Sequence, residues 1–343
     1  MRSIFALADD LTGALEAGAK FAERRFRTLV TTRRERRSDF PVTVVDTESR
    51  HLSPEGAAET IADFLPDGAQ IIYKKTDSAL RGNIASELRA LHRAFPDARL
   101  SYIPAYPEIG RTARAGSVFI DGIPAHLSDF AQDRLNPVTT NCVAELLGND
   151  LPCTIYDGEN SGDVRSAVSS VLLRPGCHII AGPASVAAAI AAHYEPEASL
   201  PMWPTVEKCL VVNGSQHPAS TEQTAYALAR GYVSSDADAS WRLVSPASAD
   251  GMTPFQFAEA TGKAVVGEIG RSSPDALLVF GGDTAFAILR SMKRHDLHPI
   301  GEILPGVPLS RIDGAGLYLI SKAGSFGEAN LICRVKGTLH ANE

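Results

Sequence analysis

Three short polar clusters in the first half of the chain combine residue types that suit a small, hydroxylated anion. The first is Ala8-Asp9-Asp10-Leu11-Thr12-Gly13-Ala14, an adjacent carboxylate pair that follows an apolar run and precedes a helical pattern. One aspartate at such a place serves as a helix cap; two exceed what a cap requires, and a carboxylate there accepts a proton from a hydroxyl or holds polyol hydroxyls. The second is Lys74-Lys75-Thr76-Asp77-Ser78-Ala79-Leu80-Arg81-Gly82-Asn83, which brings cations, a carboxylate, hydroxyls and a guanidinium together. It reads either as an anion-binding turn or as a solvated loop in which Asn83 caps the next helix. The third runs from Pro104 to Thr112 and centres on Gly110-Arg111-Thr112. Arg111 is suited to a bidentate carboxylate contact or to tying down a neighbouring loop.

In the second half the chemistry changes to glycine and serine. Ala276–Phe280 followed by Gly281-Gly282-Asp283-Thr284 reads as a strand, a glycine turn and a helix start, where backbone N–H groups and the helix dipole favour a phosphate. Val211-Val212-Asn213-Gly214-Ser215 and Ser321-Lys322-Ala323-Gly324-Ser325-Phe326-Gly327 add two more such loops, and the three together suggest a nucleotide site. Neither a P-loop signature, a dinucleotide fingerprint, a zincin motif nor a nucleophile elbow occurs. His295 and His298 lie three apart with no third ligand candidate nearby and read as a surface helix end.

The elements that must position these clusters alternate between short apolar runs and helical patterns, which argues an α/β architecture. Strands are expected at Ser3–Ala8, Thr28–Thr32, Val42–Asp46, Gln70–Lys75, Leu100–Ala105, Thr154–Asp157, His178–Gly182, Cys209–Val212 and Ala276–Phe280. Helices are expected at Gly13–Arg25, Pro54–Phe64 with Ser53 as N-cap, Ile84–Ala94, Val164–Leu173 and Ala285–Met292, and a hairpin around Asp121-Gly122. Each polar cluster then falls at a strand end, where open parallel sheets bind ligands.

A length of 343 residues exceeds what a single core usually supports, and the proline-rich stretch 195–204 lacks periodicity. The expectation is an α/β protein of two domains, 1–200 and 205–343, each a largely parallel sheet flanked by helices. Lys+Arg 33 against Asp+Glu 40 leaves a net charge of −7, so no broad basic field exists for nucleic acid or an anionic membrane. The run Arg33–Arg37 reads as a solvated edge. No apolar run reaches the ~20 residues of a membrane span, and the N-terminus lacks a signal-peptide pattern, so the expected location is the cytoplasm. Five scattered cysteines argue against a disulfide framework or a structural zinc site.

Taken in order, Ala8–Ala14, Lys75–Asn83, Pro104…Gly110-Arg111-Thr112, Gly281–Thr284 and Lys322…Gly324…Phe326-Gly327 resemble the motifs of the four-carbon acid sugar kinase family, from the first strand to near the C-terminus. The resemblance implies an N-terminal domain for the sugar acid, a C-terminal domain for ATP with Mg²⁺, and phosphorylation of the terminal C4 hydroxyl of threonate, erythronate or an oxo-tetronate in the cleft between them. It implies that Asp9, Asp10, Lys75, Asp77, Ser78, Arg81 and Arg111 face the sugar acid, with Arg111 and Arg81 anchoring its carboxylate and Asp10 or Asp9 deprotonating the hydroxyl. Ser215, Gly281, Gly282, Asp283, Thr284 and Gly324 would hold ATP, and Asp283 either contacts Mg²⁺ or caps the helix. A homodimer is a further expectation. The chain departs from the family pattern at Gln216-His217, where Cys-Ser is usual, at Ala323 and Ser325, and by a shortened stretch over 236–268. These departures motivate an alternative, a sugar-acid or nucleotide sensor without turnover.

Overall fold

The computed structural model describes residues 3–33, 39–66, 70–133, 135–195, 197–198, 201–244 and 251–340. Residues 34–37 of the basic run, 196, 199 and 200 of the proline-rich stretch, and 245–250 of the shortened stretch lie outside the described residues. The chain divides into two compact units, Met1–Ser199 and Leu200–Glu343.

The first unit runs β1 (Ile4–Ala8), α1 (Leu11–Ala22), β2 (Thr28–Thr31), β3 (Val42–Asp46), α2 (Pro54–Asp63), β4 (Ile71–Lys75), α3 (Ile84–Ala94) and β5 (Arg99–Tyr102). It continues with β6 (Arg111–Arg114), β7 (Ser117–Ile120), β8 (Ile123–Pro124), α4 (Val143–Leu147), β9 (Cys153–Ile155), α5 (Ser161–Leu172), β10 (His178–Gly182) and α6 (Ala184–Tyr194). The strand order is β2-β3-β1-β4-β10-β5-β9, every pair parallel. Strands β1, β3, β4 and β10 are buried along their whole length, which is why they read as mostly apolar runs, with polar residues at their ends or singly within, rather than as alternating ones.

Phe5 and Leu7 of β1 pack with Ile61 of α2 and with Ile84, Leu88 and Leu91 of α3, in a cluster that holds no residue of α1. Helix α1 packs instead on α6. The chain thus leaves β1 and β4 toward opposite faces of the sheet, and the crevice at such a switch point is where open α/β sheets bind ligands. The hairpin expected at Asp121-Gly122 forms between β7 and β8, with Asp121 at φ 50° and Gly122 at φ 83°; β6 joins it as a third antiparallel strand. Helix α1 starts and stops earlier than its periodicity suggests, because Asp10 caps it and Arg25, at φ 64°, turns the chain out of the helix.

The second unit runs β11 (Cys209–Asn213), α7 (Pro218–Ala229), β12 (Trp241–Val244), α8 (Pro254–Ser272), β13 (Ala276–Phe280), α9 (Gly282–Ser291), β14 (Asp296–Leu304), β15 (Val307–Ile312), β16 (Leu317–Lys322) and α10 (Leu331–His340). Strands β12-β11-β13-β16 are parallel, and β16-β15-β14 continue as an antiparallel meander. His295 and His298 therefore stand at the start of a strand rather than at a helix end, and His298 Nε2 lies 3.4 Å from Asp313 Oδ1. The five cysteines are free. Among the described residues no helix is long and apolar enough to cross a membrane.

Helices α8 and α9 approach closely because of Gly262, where a Cβ would stand 2.8 Å from both the carbonyl carbon and the carbonyl oxygen of Ala287. Gly267, in the same helix, has only an ordinary 3.8 Å neighbour, the Arg271 side chain. Alanine in a helix normally gains about 1 kcal/mol over glycine. Gly267→Ala should raise Tm by a few degrees and Gly262→Ala should lower it, as measured by thermal circular dichroism.

Candidate functional site

The centre of the site in the first unit is Arg50, on the connection between β3 and α2. Arg50 Nε donates to Asp9 Oδ2 at 2.7 Å and Nη2 to Asp9 Oδ1 at 3.0 Å, while Nη1 donates to Asp10 Oδ2 at 2.7 Å. Nη2 also lies 3.8 Å from Asp77 Oδ2. One guanidinium thus joins the carboxylates that follow β1 to the one that follows β4. Asp9 is the more enclosed, at 2% exposure against 19% for Asp10. Asp10 also caps α1, its Oδ1 accepting from Gly13 N at 2.9 Å. A Cβ at Gly13 would stand 2.7 Å from that oxygen and 2.9 Å from Lys75 Nζ, so only glycine lets both groups close on the helix start.

The loop that carries Arg50 is held from three sides. Glu48 sits in the left-handed region at φ 47°, a costly conformation for a residue with a side chain. Its Oε1 accepts from Leu11 N at 3.3 Å. Asn83 occupies the N-cap position of α3 without capping it; its Nδ2 donates instead to Ser49 O at 3.0 Å and Leu52 O at 2.9 Å. Asn83 therefore braces the loop and does not cap α3, its amide being taken by the carbonyls of Ser49, Arg50 and Leu52. Below the loop, Lys74 Nζ pairs with Glu87 at 3.0 Å, Ser49 Oγ donates to Glu87 Oε1 at 2.5 Å, and the chain of bonds continues through Thr47 Oγ1 to Ala8 O at 2.7 Å.

Arg81 is committed to carboxylates of its own unit. It donates to both oxygens of Asp77, at 2.8 and 3.2 Å, and to Asp133 Oδ2 at 3.0 Å. Arg111 is held more loosely. Its Nη1 donates to Ile109 O and, at 3.5 Å, to Oδ2 of the exposed Asp121, and its buried Nε has no hydrogen-bond partner among the described residues. Both guanidinium groups lie over the Phe130 ring, Arg81 at 5.0 Å and Arg111 at 5.8 Å from its centre. Ser78 is half-buried in the same turn as Asp77.

Burial alone would raise the Asp9 carboxyl, but Arg50, Lys74 and Lys75 outweigh it and hold it below the usual carboxylate range. Asp77 is held far down in the same way, burial being overcome by Arg81 and Arg50. Asp46, at the end of β3, goes the other way: burial, with Glu48 beside it, keeps its carboxyl well above the usual range. Burial pushes Glu87 up despite Lys74, and it pushes the guanidinium of Arg111 down.

In the second unit the ends of three adjacent strands converge. Gly214 N donates to Phe280 O at 3.1 Å, and Gly281 N to Lys322 O at 3.0 Å, so the turns after β11, β13 and β16 are stitched together. A Cβ at Gly214 would stand 1.9 Å from Thr284 Oγ1, and one at Gly324 would stand 2.2 Å from Ser215 Oγ. Gly281, at φ 101°, forms the N-cap of α9, which therefore begins at Gly282 rather than at Ala285. Ser215, Gly281, Thr284 and Gly324 are thus brought to one cradle, with Gly282 and the exposed Asp283 on the first turn of α9. Glycine is required where the turns pack this closely, since a Cβ at Gly214 or Gly324 would strike Thr284 or Ser215; glycine turns and a helix N-terminus are the kind of backbone donors that suit a phosphate. Among the described residues no group of three His, Cys, Asp or Glu side chains could hold a metal ion. A magnesium ion carried on phosphates needs only one or two protein carboxylates, a demand Asp283 can meet.

Arg50 and Glu87 lie outside the clusters that the sequence singles out, whereas Asn83 and Lys322 lie inside them with no site role assigned. The run Asp46-Thr47-Glu48-Ser49-Arg50 shares the strand-end position and polar composition of the other clusters, which is the one signal that marks it.

Comparison with known proteins matches residues 4–213 to a family model described as a sugar-binding N-terminal domain, and residues 247–332 to one described as a nucleotide-binding C-terminal domain. A Bordetella bronchiseptica protein named D-threonate kinase is 25% identical over 96% of this chain and 95% of its own length. A Heliobacterium modesticaldum protein named D-erythronate kinase is 31% identical over 43% of this chain and 36% of its own. A Salmonella typhimurium protein of known structure shares the fold at a TM-score of 0.81 and 18% identity, covering 98% of this chain and 99% of that one.

The Lys74–Glu87 pair lies in the interior, so Lys74→Met should cost about 3–5 kcal/mol by stranding the carboxylate. The double substitution Lys74→Met, Glu87→Leu should recover at least half of that in urea denaturation. Asp9 and Asp77 both lie below the unfolded carboxylate value of about 3.9, so the stability they contribute is complete above it and is lost as pH falls further. Arg50→Gln raises both carboxyls, and the acid unfolding midpoint should move to higher pH.

Proposed function

The chain belongs to the four-carbon acid sugar kinase family, and from that premise we propose that it transfers the terminal phosphoryl group of ATP to the terminal C4 hydroxyl of a four-carbon sugar acid, such as threonate, erythronate or an oxo-tetronate. The observation that carries this reading is the half-buried guanidinium of Arg111, whose enclosed Nε has no partner among the described residues, in the unit that also presents the Arg50-linked carboxylates. A sugar acid brings two things that suit that unit: a carboxylate that can reach Arg111 Nε, and hydroxyls for Asp10, Lys75, Asp77 and Ser78.

Asp10 is the better placed acceptor of the hydroxyl proton. It is the more exposed of the pair, and its two bonds to Gly13 N and Arg50 leave lone pairs for a substrate. Asp9, gripped through both oxygens, holds Arg50 in place rather than acting on the substrate. Arg81 positions Asp77, which leaves the carboxylate anchor to Arg111. Ser215, Gly281, Gly282, Thr284 and Gly324 hold the nucleotide, with Asp283 as the carboxylate for magnesium. Bound Mg–ATP supplies the electrophilic phosphoryl group and neutralises its charge. His217 Nδ1 accepts from Ala219 N at 3.2 Å and so caps α7 as a serine would, which supports a working nucleotide loop over a sensor without turnover.

A coupled assay of ADP release against D-threonate, D-erythronate, L-threonate and their oxo forms tests the reading directly. Turnover is expected with at least one of them, and binding without ADP release would favour the sensor. Asp10→Asn should lower kcat by about 10²–10⁴-fold with the melting profile preserved. Arg111→Gln should raise the KM for the sugar acid by about 10–100-fold and change kcat much less.

A further inference from the structure

Lys322 ends β16 with a fully buried ammonium and no carboxylate partner among the described residues. Its three N–H groups are shared among four acceptors, Ser220 Oγ at 3.1 Å, Ala323 O at 3.1 Å, Gly324 O at 3.0 Å and Phe326 O at 3.0 Å. It also lies 4.4 Å from the centre of the Phe280 ring. A buried cation held only by dipoles and a ring face is expensive, and salt-bridge stability does not account for it. Burial pushes this ammonium down to about 7.

What the ammonium does to the loop follows from peptide geometry. In a trans peptide the C=O and the following N–H point in opposite directions, and the described chain has no cis peptide bond. Three carbonyls of the 323–327 loop face Lys322, so the N–H groups of Gly324, Ser325 and Gly327 face away from it. Among the described residues none of these three N–H groups finds an acceptor, whereas Phe326 N donates to Ala323 O at 3.1 Å. Gln223 Nε2 grips the same inner edge, donating to Phe326 O and Gly327 O at 2.8 Å each. A Cβ at Gly324 would stand 2.2 Å from Ser215 Oγ, which sets the start of the loop against the turn after β11.

We propose that Lys322 is a positioning residue, an internal cation that turns the carbonyls of this loop inward and thereby presents the N–H groups of Gly324, Ser325 and Gly327 as a binding site for the polyphosphate of a nucleotide. Nζ itself does not touch the ligand. The proposal rests on the reading of Leu200–Glu343 as a nucleotide-binding unit.

The test uses the whole chain labelled with ¹⁵N and titrated with inorganic tripolyphosphate, ADP and ATP. The amide signals of Gly324, Ser325 and Gly327 should move downfield and saturate together. Lys322→Ala should weaken binding by about tenfold or more, and millimolar methylammonium should restore it by refilling the space, while Lys322→Met should be equally weak and unresponsive. Unchanged affinity in either variant would overturn the proposal. So would native saturation with ligand while those three amides stay still, a result that decides the matter even if the variants fail to fold. Tripolyphosphate shifts at these amides without any response to ADP or ATP would uphold the loop's role and reject the nucleotide reading. Nucleotide binding with shifts confined to other residues would do the reverse.

Discussion

A charge removed from water must be answered by another charge or by an ordered set of dipoles, and in the first unit that demand is met by Arg50. Its guanidinium answers Asp9, Asp10 and, at longer range, Asp77. Without it the end of β1 would present two adjacent carboxylates to each other at a buried position, and one would take up a proton. With it, Asp9 stays charged as a brace and Asp10 keeps lone pairs toward solvent. The loop geometry around Arg50 serves the same end: the left-handed Glu48, the Asn83 amide on the Ser49 and Leu52 carbonyls, and the buried Lys74–Glu87 pair beneath.

The second unit meets the same demand with dipoles. Its only deeply buried cation near the strand ends, among the described residues, is Lys322, and that cation is surrounded by carbonyls and a hydroxyl rather than carboxylates. The two solutions suit different ligands. Preset ion pairs with one guanidinium more loosely held favour a compact anion bearing hydroxyls, which must be oriented atom by atom. Glycine turns with free N–H groups favour phosphates, whose spread charge is met by many weak donors at close range.

Much of this was legible in the sequence, for identifiable reasons. Strands such as Val42–Asp46, His178–Gly182 and Ala276–Phe280 are buried on both faces, so they announce themselves as mostly apolar runs. Ser53-Pro54 marks a helix start because a hydroxyl cap and a proline at the first position are local requirements. The meander of β14 and β15 carries a weaker sequence pattern because β14 is only partly buried and its pairing with β15 is interrupted by register shifts at Pro299/Gly301 and Glu302/Leu304.

The types of the site residues and their places at strand ends came from the sequence by itself, since both follow from local composition and from the alternation of strand and helix. Which of them act together was decided only by tertiary structure. Arg50 stands 41 positions from Asp9 in the chain, yet β3 lies beside β1 in the sheet, and that adjacency delivers the guanidinium to the carboxylates. Arg81 and Arg111 look alike as cations in the sequence; the difference between them is that Asp77 and Asp133 grip Arg81 at 2.8–3.2 Å, whereas Arg111 has only the exposed Asp121 at 3.5 Å and an unpartnered Nε among the described residues. Pairing across a sheet depends on strand order, and strand order leaves no periodic trace in the chain.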